Sequence, residues 1–180
     1  MAIEMHKISN PVLLNRYKNT LNFLNRMNIE AGTPILDLGS DNMFSEIMRG
    51  AGFQVSNTGV VDLDLNPGIV KSHDVELVTA FEILEHLVSP FPLLQQLPGK
   101  KLIATIPLRL WFSPAYRNPN DPWDCHYHEF EDWQFDWLLE KSGWKIKSTE
   151  KWKSPGNKIG FRPFLRKITP RYYAVYAERD

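Results

Sequence analysis

The sequence contains one cysteine, no excess of charge of either sign and no long apolar run. Cys125 cannot form an internal disulfide, so we expect a reducing, cytoplasmic environment. Twenty-one Lys and Arg residues balance 21 Asp and Glu residues, which argues against a protein built mainly to coat nucleic acid or anionic membranes. Because no segment approaches about 20 apolar residues and the first residues lack a signal-like apolar stretch, neither a membrane span nor export is expected.

Glycine is scarce in a stretch that begins like a nucleotide-binding turn. Residues 34–46, PILDLGSDNMFSE, start as a buried strand and continue through a loop into a helix. This loop contains only Gly39, whereas a pyrophosphate-binding loop uses several glycines for tight turning and close backbone approach. The loop therefore argues against a dinucleotide cofactor such as NAD.

The apolar and turn-forming residues that are present predict an α/β fold. Apolar residues make up 43% of the 180 residues, enough for a sizeable core in a single domain spanning residues 1–180. Helical spacing predicts helices at 10–27, 40–50 and 131–143, and strand patterns occur at 35–39, 53–58, 59–67, 76–84, 101–108, 144–152 and 171–179. Alternation of strands and helices predicts a mostly parallel sheet covered on both faces. The last two strands, with no helical pattern between them, are expected to form an antiparallel pair at one edge.

Two segments resemble class I S-adenosylmethionine-dependent methyltransferases. FEILEHLVSP at 81–90 is similar to the motif that follows the fourth strand of that family, and HYHEFEDWQFDWLLEKSGWKI at 126–146 is similar to the late helix and strand of its small members. The resemblance covers about residues 10–179. It implies a Rossmann-like three-layer sandwich, S-adenosylmethionine as cofactor, and methyl transfer.

The resemblance places the methionine end of the cofactor at residues 37–43. S-adenosylmethionine has no phosphate, so Asp37 and nearby carbonyls would hold its ammonium, while backbone amides around Gly39 and Ser40 would hold its carboxylate. The family pattern is similar to D/E-x-G-x-G-x-G, and this chain has Asp41 and Met43 in place of the second and third glycines. We expect Asp41 to cap the following helix instead.

In this family an acid at the end of strand two accepts hydrogen bonds from both ribose hydroxyls. Residues 57–59, where that acid is expected, contain none. Two alignments of strands two and three with the family are therefore possible. In one, strand two bulges and Asp62 is the ribose acid. In the other, 53–58 is strand two and 59–65 is strand three. Asn57 then faces the ribose, and Asp64 or Asp62 meets the adenine amino group. The second alignment explains the short chain, because the fold is shortened between strands two and three.

The end of strand four supplies further candidates. Phe81 would pack against the adenine or the sulfonium, and Glu82 lies where the carboxyl ends of parallel strands gather ligands. Glu82, Glu85 and His86 come within about one helical turn, but without cysteine partners we expect no metal site.

The acceptor side is expected in the later segments. His126 aligns with a family histidine near the acceptor pocket and would take a proton from an acceptor hydroxyl. His128 lies on the same side of an extended segment. Trp111 and Tyr116, in the aromatic loop after strand five, would wall the acceptor site. The transfer itself depends mainly on in-line positioning.

These features predict methyl transfer from S-adenosylmethionine to a small-molecule or carbohydrate-like acceptor. The lost glycines leave open a non-catalytic binding or scaffold protein of the same fold. Residues 141–171 contain ten Lys and Arg and one acid, Glu150, which leaves open a nucleic-acid methyltransferase. That alternative ranks lower because the chain lacks an Asn/Asp-Pro-Pro-Tyr motif.

Overall fold

The computed structural model of the chain describes residues 4–121, 123–154 and 160–180. Five helices and six strands occur in these ranges. In chain order they are α1 (Pro11–Arg26), β1 (Pro34–Asp37), α2 (Met43–Gly50), β2 (Gln54–Asn57), β3 (Leu77–Phe81), α3 (Pro90–Gln96), β4 (Lys101–Pro107), α4 (Asp132–Lys141), β5 (Lys145–Lys153), α5 (Phe161–Ile168) and β6 (Pro170–Glu178). Short 3-10 turns lie at Glu4–Lys7, Pro67–Ser72 and Leu84–His86.

The six strands form one sheet in the order β2-β1-β3-β4-β6-β5. Strands β1 to β4 are parallel, and β6 runs antiparallel to both β4 and β5. The predicted mostly parallel sheet with an antiparallel C-terminal pair is therefore confirmed. The chain leaves β1 for β2 on one side and returns to β3 on the other, so the topological switch point lies between β1 and β3.

Alternating side chains of the central strands fill a core on each face of the sheet. Ile35, Leu77 and Ile103 belong to a cluster that includes apolar residues of α1 and α2. Their chain neighbours Leu36 and Val78 belong to a second cluster that includes residues of α3 and α4. Because successive strand residues face opposite sides, this pattern builds the expected three layers and holds the strand ends in place.

The expected strand at 59–67 is wrong. The segment is a loop and turn in which Asp62 Oδ1 accepts hydrogen bonds from the backbone amides of Asp64 and Leu65, at 3.0 and 3.2 Å. This local turn competes with strand pairing, and the side chain of Val60 is 95% exposed. The alternation of apolar residues and acids is typical of a half-buried strand, which is why a strand was expected. In the part of the chain that the structure describes, the sheet ends at β2.

Two smaller expectations also need correction. The segment between the last two strands contains the helix α5, where the sequence indicated only a loop. Helix α2 begins at Met43 rather than at residue 40, because Asn42 caps it. None of the helices in the described ranges combines the length and apolar character that crossing a bilayer requires.

Candidate cofactor and acceptor site

A cavity of about 420 Å³ opens at the carboxyl ends of β1 and β3. These ends flank the switch point, which is where open α/β sheets bind ligands, and the volume suits a small-molecule site. Its lining residues come from α1, from the start of α2, from the ends of the central strands, from the turn after β3 and from the segments around 116–126 and 171–172. They are Arg16, Tyr17, Thr20, Asp37, Leu38, Asn42, Phe44, Phe81, Glu82, Glu85, His86, Thr105, Pro107, Tyr116, Asp124, His126, Arg171 and Tyr172.

Asp37 is a buried carboxylate at the end of β1. Its Oδ1 accepts from Thr79 Oγ1 at 2.7 Å and its Oδ2 accepts from Ser45 Oγ at 2.8 Å. Burial raises the pKa of Asp37 to about 6, although these hydrogen bonds and one from Asn57 oppose the rise. The group is therefore held rigidly and is ionised above about pH 6.

The single glycine of the loop has a geometric role. Gly39 has φ +96°, a left-handed conformation, and a Cβ built on it would lie 3.1 Å from Ile83 Cδ1. Its amide donates to Thr58 Oγ1 at 2.8 Å. Gly39 thus brings the loop close to the segment that follows β3, where a side chain would crowd Ile83.

The cap of α2 is Asn42 and not Asp41 as expected. Asn42 Oδ1 accepts from the amides of Phe44 and Ser45, at 2.8 and 3.3 Å. Asp41 instead accepts from Arg49 Nη1 at 3.0 Å. The helix starts one residue later than an Asp41 cap would require, which carries the Asp41 carboxylate to the exposed surface.

Three aromatic rings line the cavity side by side. The ring of Phe44 lies 4.9 Å from Tyr17 and 5.2 Å from Phe81, between centroids. Helices α1 and α2 thereby reach over the end of β3. The rings provide an apolar wall next to the carboxylates.

Glu82 has a strained backbone at the end of β3. Its φ is +54°, a conformation that costs a non-glycine residue about 1–3 kcal/mol and that is concentrated at functional sites. Its Oε2 lies 3.5 Å from Arg16 Nη1, and its buried Oε1 has no hydrogen-bond partner among the described residues. Burial raises the pKa of Glu82, while the charge of Arg16 opposes the rise.

Glu85 and His86 follow on the 3-10 turn after β3. The backbone oxygen of Glu85 accepts from the amides of Tyr127 and His128, at 2.9 and 3.2 Å. These bonds tie the later histidine segment to the turn and bring His126 within 4.9 Å of His86, between ring centroids. Burial and the charge of Glu82 raise the pKa of Glu85 well above its usual value.

Solved structures share the fold of this chain over nearly its whole length. A methyltransferase dependent on S-adenosylmethionine from Archaeoglobus fulgidus is 15% identical with a TM-score of 0.56, covering 91% of this chain and 94% of that one. One from Aquifex aeolicus is 11% identical with a TM-score of 0.57, covering 97% and 96%. The chain has the class I methyltransferase fold.

A third structure with this methyltransferase fold belongs to a larger protein. Phosphoethanolamine N-methyltransferase 2 of Haemonchus contortus, solved with S-adenosylmethionine, is 12% identical with a TM-score of 0.56, covering 90% of this chain and 52% of that one. No family model matches the chain, and no curated protein matches it in sequence. The likeness is therefore one of fold.

Within the methyltransferase fold, the structure brings five of the expected site residues to one cavity. They are Asp37, Phe81, Glu82, Tyr116 and His126. The Tyr116 hydroxyl donates to Asp124 Oδ2 at 2.8 Å, and His126 Nδ1 lies 3.0 Å from Glu129 Oε1.

The other expected residues lie outside this cavity. Asn57 Oδ1 accepts from Arg49 Nη2 at 3.0 Å, and the carboxylate of Asp64 accepts from the amides of Val88 and Ser89, both at 2.8 Å. Asp62 holds its own turn, as described above. Ser40 and Trp111 are exposed, Gly39 lies beside Thr58, and His128 Nε2 contacts the oxygen of Val88 at 3.2 Å.

Some lining residues were missed by the sequence reasoning. Arg16 and Tyr17 lie within the helical pattern of α1, and Arg171 and Tyr172 begin β6. A basic residue next to the apolar stripe of a helix is the only feature of the sequence that could have indicated Arg16 as a site residue, and it is a weak one. The position of Arg171, whose Nη1 donates to the oxygen of Leu108 at 2.6 Å, depends on the antiparallel return of β6.

Proposed function

We propose that this chain transfers a methyl group from S-adenosylmethionine to a small polar acceptor. The supporting observation is a cavity of small-molecule size at the switch point of a methyltransferase fold, lined by carboxylates and aromatic rings. The sulfonium and the ammonium of the cofactor are cations, and buried carboxylates are suitable partners for both. No phosphate has to be accommodated, which suits a loop with a single glycine.

The methionine end would lie against β1. Asp37 would attract the ammonium, and the amide of Ser40 would donate to the cofactor carboxylate. The amide of Gly39 would have to leave Thr58 Oγ1 to do the same. Phe81 would pack on the adenosyl group, and Glu82 would face the positive charge of the sulfonium. The strain and the unpaired oxygen of Glu82 are explained if a bound cation offsets their cost.

The adenosine end is less enclosed than the methionine end. With a loop at 59–67 instead of a strand, the pocket lacks one wall, and Asn57, Asp62 and Asp64 are already engaged in protein hydrogen bonds. Their roles toward ribose and adenine stay predictions. Binding through them would require Asn57 to leave Arg49 or Asp64 to leave the amides of Val88 and Ser89.

The acceptor would enter beside Tyr116, His126 and Arg171. These polar groups line the cavity, and they suit an acceptor with hydroxyl, amine or anionic groups, carbohydrate-like molecules included. One structural neighbour is named for the small acceptor phosphoethanolamine. The base role expected of His126, and the acceptor contacts expected of Trp111 and His128, stay predictions.

Nucleic acid is a weaker candidate for the acceptor. Several side chains of the basic stretch at 141–171 are already paired with acids. Lys145 Nζ lies 2.6 Å from Asp180, Lys147 Nζ lies 3.7 Å from Glu178, and Lys151 contacts Asp132. A phosphate backbone would have to compete with these acids for the same positive charges.

Isothermal titration with S-adenosylmethionine and with S-adenosylhomocysteine tests the proposal. We expect one-to-one binding of both, weakened at least ten-fold by Glu82→Gln and unchanged by Glu140→Gln on the exposed side of α4. An absence of heat at millimolar ligand would reject the methyltransferase and favour a non-catalytic protein of this fold.

A further inference from the structure

Glu85, His86 and His126 form a cluster on the cavity wall that the proposed methyl transfer leaves partly unexplained. One ligand atom of each residue lies within 4.8 Å of the other two. Glu85 and His86 come from the turn after β3, and His126 comes from a segment 40 positions later. The fold therefore assembles the cluster from two separate parts of the chain.

In both histidines Nδ1 lies within hydrogen-bond distance of an oxygen atom. His86 Nδ1 lies 3.0 Å from the backbone oxygen of Cys125. Because a carbonyl oxygen only accepts, Nδ1 carries the proton and the lone pair of neutral His86 is on Nε2. His126 Nδ1 is likewise 3.0 Å from Glu129 Oε1, which leaves its Nε2 as the free nitrogen.

This pattern is typical of histidines that bind metals. A metal-binding imidazole generally donates its other N–H to a carbonyl or carboxylate, which fixes the tautomer and orients the ring. Glu129 Oε1, 3.0 Å from His126 Nδ1, is a carboxylate in the position of such an acceptor.

Glu85 supplies the third donor. Its side chain is 1% exposed, its Oε2 has no hydrogen-bond partner among the described residues, and its Oε1 lies 3.7 Å from His86 Nε2. A buried carboxylate oxygen without a partner is costly. A bound cation would remove that cost.

We propose that Glu85, His86 and His126 bind one divalent first-row transition-metal ion at the wall of this cavity. Two imidazoles and one carboxylate suit Mn²⁺, Fe²⁺, Co²⁺ or Zn²⁺ better than Mg²⁺, which prefers oxygen ligands. Bonds of about 2.1 Å place ligand atoms roughly 3.4 Å apart, so the three side chains close inward by about an ångström on binding.

Three protein ligands leave at least one coordination position open toward the cavity. An oxygen of the acceptor fits there, and its coordination would lower the pKa of an acceptor hydroxyl. His126 then acts as a metal ligand and not as the proton acceptor that the sequence suggested. Metal binding needs no cofactor, so it can fail or succeed independently of the proposed methyl transfer.

Metal binding is tested on the whole chain after removal of metals with a chelator. Titration with MnCl₂ and with ZnCl₂, followed by calorimetry, should give one site with a dissociation constant below about 10 μM. His126→Gln and Glu85→Gln should each weaken binding at least ten-fold. His128→Gln is the matched control, because His128 lies outside the cavity two positions from His126, and it should bind like the parent.

The spectrum of bound Co²⁺ identifies the donor atoms and shows whether the metal binds at Cys125 instead of at the cluster. The Co²⁺ complex should show ligand-field bands in the visible range without a thiolate charge-transfer band, and Cys125→Ser should leave the spectrum unchanged. If His126→Gln does not fold, as judged by circular dichroism, Glu129→Gln replaces it. Because Glu129 orients His126, that change should weaken binding ten- to a hundred-fold.

The proposal is overturned by any of three results. The parent protein binds neither Mn²⁺ nor Zn²⁺ at 100 μM, binding persists unchanged in the Glu85 and His126 (or Glu129) variants, or His128→Gln abolishes it equally. One-to-one binding that is lost only with changes in the cluster supports it.

Discussion

At the scale of single residues, the cavity is marked by two buried acids, Asp37 and Glu85, and by the partly buried Glu82. Asp37, Glu82 and Glu85 all line it, and the last two each have one carboxylate oxygen without a partner among the described residues. Buried unpaired carboxylates lower stability, so their presence indicates a site arranged for positively charged ligands rather than for packing.

Asp37 makes stability depend on pH in a defined direction. Its pKa is raised from 3.8 to about 6, so the folded state holds the proton more tightly than the unfolded state. The associated stability is fully present below pH 3.8 and is lost as pH rises to about 6. Between pH 4.5 and 7.5 the loss from this group is about 2 kcal/mol.

We therefore expect Asp37→Asn to be relatively more stable at pH 7.5 than at pH 4.5. The measurement is urea unfolding of both proteins at the two pH values. The difference in unfolding free energy between variant and parent should shift by about 2 kcal/mol in favour of the variant as pH rises. A difference that does not change with pH would show that Asp37 has an ordinary pKa.

The residues that the sequence could place in the site are those at strand ends. Asp37, Phe81 and Glu82 follow from the rule that parallel strands bring their carboxyl ends together. Arg16, Glu85 and Arg171 could not be placed from the sequence, because their positions depend on how α1, the turn after β3 and β6 fold over that edge. The cluster of Glu85, His86 and His126 could not be predicted for the same reason, since His126 comes from a distant segment.

At the scale of elements, helix starts and strand pairing differ in how far local sequence determines them. The helix expected at 10–27 is observed as α1, and Asn10 caps it, with Oδ1 accepting from the amides of Val12 and Leu13. The alternating segment at 59–67 looked like a strand, but strand pairing needs a neighbouring edge that local sequence does not specify. The segment instead forms the local turn at Asp62, whose side chain accepts from two following amides.

The cap of α2 offers a test at this scale. Asn42→Ala removes the acceptor for the amides of Phe44 and Ser45, so it should lower the unfolding free energy by about 1 kcal/mol. The matched change is Asp41→Ala, which breaks only the exposed ion pair with Arg49 and should cost less than about 0.5 kcal/mol. Chemical denaturation of both variants measures this. If Asp41→Ala costs more than Asn42→Ala, the cap is misassigned.

At the scale of the whole molecule, the balanced charge of the chain gives no general attraction for anionic partners. The crevice at the strand ends is therefore the main candidate for binding a ligand. The mostly parallel sheet and its antiparallel C-terminal pair followed from the alternation of elements along the chain, whereas the strand order did not. The shortening did not follow in detail, because the expected strand at 59–67 is a loop and, in the residues that the structure describes, the sheet ends at β2. One consequence is that the side of the crevice next to β2, where we propose that adenosine binds, is exposed.

Ligand binding to the crevice can be measured on the intact protein as a rise in its melting temperature. A ligand that binds only the folded state at a hundred times its dissociation constant stabilises it by about 2.7 kcal/mol. For a chain of 180 residues this raises the melting temperature by about 8 °C. S-adenosylhomocysteine should produce this shift, and Glu82→Gln should reduce it at the same ligand concentration.

ATP is the informative control, because it shares the adenosine group but carries phosphates. The loop at 37–43 has one glycine and an exposed carboxylate at Asp41, and neither favours a chain of phosphates. ATP should therefore leave the melting temperature within about 1 °C of the unliganded value. Equal stabilisation by ATP and S-adenosylhomocysteine would show that the crevice recognises adenosine alone, and the methionine-end contacts assigned to Asp37 and Glu82 would be wrong.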